Sequence, residues 1–508
     1  MVGEMIKPAI LGILFWLGLL SLLILVRPGA GIHRTGCSRL KRKHYLLIFT
    51  VMVVWIAGMA KVMSLPPNWN GENPEHKDQY ERITESFLNG HLYFDYDDVD
   101  PKLNAMENPY DREARDREQV CYHWDHAFYN GHYYMYFGVV PVFLLFLPFR
   151  VITGYALPTL YATQIFAAGF TVGVFALFWN LTKKFFRDLP LSIYLVLSLI
   201  LSFSGLRYTI KFPILYQTAV SSGLCLGIWS LFCFTKAVWL TEQESKALLL
   251  AFFGSLLGAL VFGCRPTIAL GNLAVIPLLF IFLKKRRMTP RLAFRLAGTA
   301  LPYVVIAALL MTYNQARFGS PFEFGQSYQL TIADQSGYGN FWERLDPVAV
   351  VNGMIFSFAQ SPTVSVWLSH GGVLWECPIL LLGLLGFFDQ KTKKEIRNNS
   401  LIWFLTALFM ISVLIVIMQT VWSPKLLYRY CEDYFWLLAI LVFLVVGYRW
   451  QTAEKQTVYA GTVCWFSMAS FFVGCLIILI QEEGSLTATQ PELIGKIIGF
   501  LSLGTHGI

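Results

Sequence analysis

One acidic residue, Asp78, stands near the start of a segment whose pattern predicts a helix. Asn73 can cap this helix, Pro74 fits its first position, and Gly90 ends it. A water-facing carboxylate at such a place can act as a general base that takes a proton from a hydroxyl group. Arg82 follows one turn later, so an exposed ion pair between Asp78 and Arg82 is the alternative, and spacing alone favours it.

A second carboxylate for the same chemistry is offered by Asp125, in the sequence CYHWDHAF, or by a cluster of four aspartates at positions 95–100. Such a group could orient an acceptor or hold a cation. Asp95 and Asp97, or His123 with Asp125 and His126, could bind a divalent cation. Acidic loops are usually solvated and loop histidines usually hydrogen-bonded, so we predict no metal site and keep a divalent cation as the alternative.

Four basic residues fall between apolar runs in positions where they could bind a phosphate. A guanidinium can bind a phosphate through two parallel hydrogen bonds, whereas a basic residue at the end of a span often only extends its charge to the membrane surface. Arg429 is the first choice, because two tyrosines and two acidic residues surround it in the sequence YRYCED. The four candidates are Arg207, Lys211, Arg265 and Arg429.

The elements that position these residues are membrane helices. Of the 508 residues, 56% are hydrophobic and only 14% are charged, against about 25% charged in soluble domains. The composition therefore predicts an all-α polytopic protein with about 12 transmembrane helices. The runs of spanning length are 8–26, 45–63, 158–180, 190–206, 213–235, 247–264, 267–283, 294–313, 372–388, 400–421, 434–448 and 457–480.

The loop charges predict the orientation of these helices. Basic clusters occur at 34–43, 183–187, 284–287 and 391–397, and Lys and Arg are retained on the cytoplasmic side. All four clusters share one side only if the apolar run 133–149 does not cross the membrane. We therefore predict that this run, which contains two prolines, is re-entrant or interfacial.

Two segments on the opposite side are long enough to carry function. The first extracytoplasmic loop, 64–157, holds 15 of the 32 acidic residues, all of them before position 133. The second is 314–371. The predicted organisation is an extra N-terminal helix with a basic loop (1–44), a core of helices with both loops (45–450), and a last helix with a tail (451–508).

Short motifs in both loops resemble the GT-C superfamily of polytopic glycosyltransferases, of the protein-mannosyltransferase and aminoarabinose-transferase kind. They are the pattern Asp78-x-Tyr80-x(9)-Gly90, the stretch GHYYMYFGVVPVFLLFLP at 131–148, and YNQARFGSPFEFGQSY at 313–328. The family's first loop carries an acidic residue just beyond a span and closes with juxtamembrane segments that do not cross. Many relatives have adjacent acidic residues at the first position, where this chain has Lys77–Asp78–Gln79.

The resemblance implies transfer of a hexose or pentose, with inversion, from a polyprenyl-phosphate carrier. The acceptor would be an extracytoplasmic glycolipid, wall polymer or protein, and the location the plasma membrane. Asp78 would be the base, Asp125 the assisting carboxylate, and the four basic residues would bind the donor phosphate. Tyr80, His126 and Tyr328 would belong to the substrate loops.

Two other functions fit the same composition. A transporter or flippase of lipid-linked saccharides would place charges inside its spans and show related halves; the spans are almost free of charge and no repeat is seen. A non-catalytic membrane assembly factor, whose acidic loop binds a partner, remains open.

Overall fold

The computed structural model describes residues 31–65, 78–286, 288–360, 371–423 and 426–479. Within these ranges nine helical segments are long and apolar enough to cross a membrane. They are Arg42–Met63, Thr159–Phe185, Leu215–Trp239, Glu244–Phe262, Pro266–Lys284, Pro290–Phe318, Ile402–Trp422, Tyr428–Thr452 and Gln456–Ile478. The prediction of an all-α polytopic membrane protein is therefore confirmed.

The α-helices follow one another along nearly the whole described chain. They are α1 Gly31–Arg34, α2 Arg42–Met63, α3 Gln79–Leu88, α4 Pro101–Ala105, α5 Arg112–Glu118, α6 Leu147–Thr153, α7 Thr159–Phe185, α8 Leu191–Ser204, α9 Arg207–Lys211, α10 Leu215–Trp239, α11 Glu244–Phe262, α12 Pro266–Ala269, α13 Val275–Lys284, α14 Pro290–Phe318, α15 Phe341–Arg344, α16 Pro347–Met354, α17 Val373–Glu376, α18 Ile379–Phe388, α19 Gln390–Asn398, α20 Ile402–Trp422, α21 Glu432–Thr452 and α22 Gln456–Leu479.

Shorter elements complete the chain. Four 3₁₀-helices lie at Cys37–Arg39, Leu270–Ala274, Gln326–Tyr328 and Tyr428–Cys431, and two π-helical turns at Val142–Phe146 and Ile355–Ala359. The described part contains one two-stranded antiparallel sheet, β1 Ala127–Tyr129 with β2 His132–Tyr134. Asn130 and Gly131, both with positive φ, make its turn, as expected for an Asn-Gly hairpin. We did not predict this hairpin from the sequence.

Two of the predicted spans are shorter than a membrane crossing requires. Helix α8 has 14 residues and α18 has 10, whereas a straight crossing takes about 20. The predicted span 8–26 lies outside the described residues, so nine long helices and these two short ones stand where eleven spans were predicted. Helices α10 and α21 form the centre of the bundle, because 83% and 89% of the residues in their most apolar stretches are buried. In α14 only 6% of the corresponding residues are buried.

The helix ends sort into two groups that agree with the orientation predicted from charge. At one end, Cys37 donates to the carbonyl of Leu189 at 2.9 Å and Lys285 donates to that of Val238 at 3.1 Å. At the other end, Arg265 pairs with Asp433. Predicted cytoplasmic loops thus contact each other, and predicted outer ends do the same.

The run 133–149 forms no long helix. It contains β2, a turn, and the start of a 12-residue apolar helix, Val142–Thr153. At 1.5 Å per residue this helix is about 18 Å long, well below the roughly 30 Å of a hydrocarbon core. Its entry is anchored by backbone contact, since Val140 donates to the carbonyl of Gly263 at 2.9 Å. This length fits a segment that stays on one side of the membrane.

Candidate active site

The two outer loops are joined to each other next to Asp125. The backbone N–H of Asp125 donates to the carbonyl of Leu330 at 3.1 Å, and that of Leu330 donates to the carbonyl of His126 at 2.9 Å. The buried guanidinium of Arg115 adds a hydrogen bond of 2.9 Å to the carbonyl of Thr331. The segments that the sequence singled out separately therefore form one structure over the outer helix ends.

Asp125 is held in an uncommon backbone conformation at this junction. Its φ is +57°, in the left-handed region that non-glycine residues adopt rarely and at some cost. The surrounding hydrogen bonds fix the residue there, and its carboxylate is thereby directed toward the helix ends. A non-glycine residue kept in such a conformation is often part of a functional site.

The Asp125 carboxylate connects to Arg429 through Tyr216. The hydroxyl of Tyr216, at the start of α10, donates a short hydrogen bond to Oδ2 of Asp125. The guanidinium of Arg429 lies over the ring of the same tyrosine, with its carbon 4.6 Å from the ring centre. Loop 1, α10 and the entry to α21 thus meet at one tyrosine, and two of the predicted site residues are brought together by it.

Arg429 forms no ion pair or hydrogen bond with any residue in the described ranges; its contacts are the rings of Tyr216 and Tyr430. A second guanidinium, that of Arg265, lies 5.6 Å from the Tyr430 ring. The Arg265 Nε donates to Oδ1 of Asp433 at 2.5 Å, and its two terminal nitrogens have no hydrogen-bond partner among the described residues. Five unpaired N–H donors on Arg429 and four on Arg265 suit an anionic ligand.

Both carboxylate oxygens of Asp433 are hydrogen-bonded within the protein. Its two carboxylate oxygens accept from Arg265, from the hydroxyl of Thr267 at 2.7 Å, and from the amide of Gln419 at 2.8 Å. The Gln419 amide also donates to the carbonyl of Tyr430 at 3.0 Å. This network fixes the loop that carries Arg429 and Tyr430 against α12 and α20, so the two guanidinium groups are held by buried neighbours.

Asp78 is the first residue that the structure describes after the gap at 66–77. It occupies the N-cap position of α3. Its Oδ2 accepts from Nε of Arg82 at 2.6 Å, in the ion pair that the spacing favours. Its Oδ1 is buried and makes no hydrogen bond within the described residues. One carboxylate oxygen is therefore paired, and the other is available to a proton donor. The predicted first turn of this helix lies outside the described residues.

Gln79, the residue after Asp78, ties α3 to the backbone at Asp125. Its amide donates to the Asp125 carbonyl at 2.9 Å and lies 3.4 Å from Nδ1 of His126. His126 is fully buried, and its Nε2 lies 2.9 Å from the hydroxyl of Tyr96. Both ring nitrogens of His126 are thus in contact with protein groups, which ties α3 to the Asp125 turn.

The other two predicted phosphate ligands, Arg207 and Lys211, are both buried. Arg207 is fully buried and donates from Nε to Oε2 of Glu376 at 3.0 Å, with further bonds to the Ser204 carbonyl and the Cys431 sulfur. Lys211 is 2% exposed, with its nitrogen 5.3 Å from the Phe212 ring. Arg207 thus has an acidic partner in Glu376, unlike Arg429, which has none in the described part of the chain.

The two predicted substrate-loop tyrosines differ in exposure. Tyr80 is fully buried, donates to the Gly138 carbonyl at 3.3 Å and stacks on Phe146 at 5.2 Å. Tyr328 is half-buried at the loop junction, 4.6 Å from the ring centre of Tyr129. Tyr80 therefore packs the re-entrant segment against α3, whereas Tyr328 lies where a substrate could reach it.

Sequence reasoning missed Tyr136 and Tyr216. Tyr136 lies in the re-entrant run, where burial raises the pKa of its hydroxyl well above the ordinary value, as does the charge of Asp125, while Arg429 lowers it. The phenol therefore stays protonated and can donate a hydrogen bond. Tyr216 lies near the start of the predicted span 213–235. Tyrosine is common where spans meet the membrane surface, so its position in the sequence did not mark Tyr216 as a site residue.

No family model matches this sequence, and no curated protein matches it. Among solved structures, the chain is similar to the archaeal oligosaccharyltransferase AglB from Archaeoglobus fulgidus, solved with an inhibitory peptide and a dolichol-phosphate. The identity is 11%, the TM-score 0.46, and 86% of this chain and 56% of that chain are covered. This chain thus spans little more than half the length of that protein.

A second similar structure is ArnT from Cupriavidus metallidurans in the apo state. The identity is 12% and the TM-score 0.44, and 85% of this chain and 76% of that chain are covered.

Proposed function

We propose that this protein transfers a sugar from a polyprenyl-phosphate carrier to an acceptor on the extracytoplasmic side of the plasma membrane. One observation carries the proposal: the guanidinium of Arg429, which has no acidic partner in the described part of the chain, lies on Tyr216, whose hydroxyl is bonded to Asp125, at the predicted outer ends of membrane helices. Cationic donors for a lipid phosphate and a carboxylate for an acceptor hydroxyl are thereby adjacent.

In the proposed reaction the acceptor oxygen attacks the anomeric carbon of the donor sugar. The bond from that carbon to the phosphate oxygen breaks, and its electron pair leaves with the polyprenyl phosphate. The acceptor's proton passes to Asp78, whose Oδ1 makes no hydrogen bond within the described residues. A single displacement of this kind inverts the anomeric configuration.

The cations would act on the charge that develops on the leaving phosphate. Arg429 can bind two phosphate oxygens through its planar fork, and Arg265 can contribute its terminal nitrogens while Nε stays on Asp433. Arg207 and Lys211 are not needed in this role. We therefore assign the stabilisation of the leaving phosphate to Arg429 and Arg265.

Asp125 would orient the acceptor beside Asp78. The charges found between helices favour an enzyme over a transporter, because the pairs Arg207–Glu376 and Arg265–Asp433 lie at the outer ends of spans rather than midway along them. A non-catalytic assembly factor would have no use for an unpaired cation beside a fixed carboxylate.

The test is transfer of radiolabelled sugar from polyprenyl-phosphate hexoses and pentoses to acceptors in membranes that contain the chain. Transfer should require the chain and should be lost in Asp78→Asn and Arg429→Ala while both proteins accumulate normally. If the parental chain neither transfers any of these sugars nor binds polyprenyl phosphate, the proposal is wrong, and assays of saccharide transport become the next measurement.

A further inference from the structure

We infer that Tyr216 is a positioning residue that acts on both halves of the reaction, through its hydroxyl on Asp125 and through its ring on Arg429. The inference rests on the proposed function. It assigns a role to a residue that the sequence motifs do not include and that lies on α10 rather than in either outer loop.

The hydroxyl end is fixed to the acceptor side. It donates to Oδ2 of Asp125, and Asp125 is itself restrained by its left-handed backbone and by the Leu330 carbonyl. A carboxylate can rotate about its last bond, and a donated hydrogen bond selects one orientation. The hydroxyl therefore determines which carboxylate oxygen faces the acceptor.

The ring end is fixed to the donor side. The guanidinium carbon of Arg429 lies 4.6 Å from the ring centre, which is within range for a cation–π contact. Phe137 also packs edge-on with this ring, at 5.4 Å between the ring centres. Because Phe137 belongs to the re-entrant segment, the ring contacts both that segment and Arg429. Stacking orients the planar fork and leaves its N–H groups free for phosphate oxygens.

Two substitutions of Tyr216 separate the role of its hydroxyl from the role of its ring. Tyr216→Phe keeps the ring and removes the hydroxyl, so the KM for the donor should stay within about twofold while kcat falls about tenfold, in keeping with the loss of one hydrogen bond to a charged group. Tyr216→Leu removes both, so the donor KM should also rise by about two- to thirtyfold, the range of a cation–π contact. Tyr194→Phe is the matched control, since its hydroxyl bonds the Phe175 carbonyl near the cytoplasmic end.

A double substitution tests whether the hydroxyl acts through Asp125. In an Asp125→Ala background, which removes the acceptor of the Tyr216 hydroxyl, Tyr216→Phe should change kcat by less than about twofold, because coupled residues give non-additive effects. Multiplicative losses, or equal donor KM values in the Phe and Leu variants, would overturn the role of Tyr216 while leaving the transferase function intact.

Binding of polyprenyl phosphate alone keeps the test independent of acceptor identity. By thermal shift of the purified full chain, parent and Tyr216→Phe should respond alike, and Tyr216→Leu should need more lipid for the same shift. Equal responses of all three proteins contradict the ring's role. Absence of any response in the parent rejects both the donor site and the function proposed from it.

Discussion

Arg207 and Glu376 form a buried ion pair between residues 169 positions apart in the sequence, with side-chain exposures of 0% and 1%. The hydroxyl of Tyr208 donates to the other Glu376 oxygen at 2.8 Å. The pair joins the start of α9, which follows the short helix α8, to the end of α17, which precedes the short helix α18. Arg207 thus stabilises packing, although its position in the sequence resembles that of a phosphate ligand.

Removing one member of this pair should destabilise the protein. Arg207→Met leaves Glu376 charged and unpaired, which typically costs about 3–5 kcal/mol, so the unfolding temperature in detergent should fall. The double variant Arg207→Met, Glu376→Leu should recover much of that loss, because no buried charge remains. If the single variant unfolds like the parent but fails to bind polyprenyl phosphate, Arg207 is a donor ligand and our structural assignment is wrong.

Asp78→Asn should abolish sugar transfer without affecting folding. The amide keeps the size of the side chain but cannot take a proton, and a positioned general base contributes about 10²–10⁴-fold. An exposed ion pair with Arg82 would be worth only about 0.3–0.5 kcal/mol. Initial transfer rates at saturating donor distinguish the two roles, because loss of a catalytic base lowers the rate by orders of magnitude and loss of a surface ion pair does not.

Asp116→Asn is the matched control for Asp78, because Asp116 pairs with Arg112 at 3.4 Å across the same i, i+4 spacing on α5. Its transfer rate should match that of the parent. Near-parental transfer by Asp78→Asn as well would remove Asp78 from the mechanism and make Asp125 the next candidate base.

Arg429→Lys should lose activity although the positive charge remains. A point ammonium cannot reproduce a two-bond grip on phosphate or stack its plane on Tyr216, so donor KM should rise about tenfold or more. Arg117→Lys, at an exposed position on α5 in the first outer loop, should be silent. Similar donor KM values in Arg429→Lys, Arg429→Ala and the parent would show that the phosphate is held elsewhere.

Gly138→Val should detach the first outer loop from the helix ends. A Cβ at residue 138 would lie 2.3 Å from the carbonyl oxygens of both Gly263 and Cys264, and backbone cannot move aside as a side chain does. We expect a loss of about 1–3 kcal/mol or more, visible as faster proteolysis of the loop. Gly298→Ala is the control, since nothing lies within 4 Å of its added Cβ; equal proteolysis of both variants would contradict this packing.

The natural cysteines test the orientation. All nine cysteines fall in the described part of the chain. Among them Cys121, in the first outer loop, is the one that is exposed. A membrane-impermeant maleimide added to whole cells should label it, and Cys121→Ala should not be labelled. A cysteine introduced at Arg291, before the crossing of α14, should react only after the cells are opened. Labelling at position 291 from outside would reverse the predicted topology.

The amino-acid sequence by itself determined the class of protein, and it predicts the orientation of the helices. Runs of apolar residues long enough to span predicted the helices, because backbone groups in lipid must be satisfied within the segment. The basic clusters predicted which loops share a side, and contacts between helix ends agree with it. These are properties of composition along the chain, so they need no knowledge of which helices are neighbours.

Tertiary structure decided which of the candidate residues share a site. Asp125, Tyr216 and Arg429 come together only because the first loop, α10 and the entry to α21 meet. The same folding paired Arg207 with Glu376 and buried Tyr80. The four predicted cations look alike in sequence, and their roles differ because long-range contacts neutralise some charges and leave the guanidinium of Arg429 without an acidic partner in the described part of the chain.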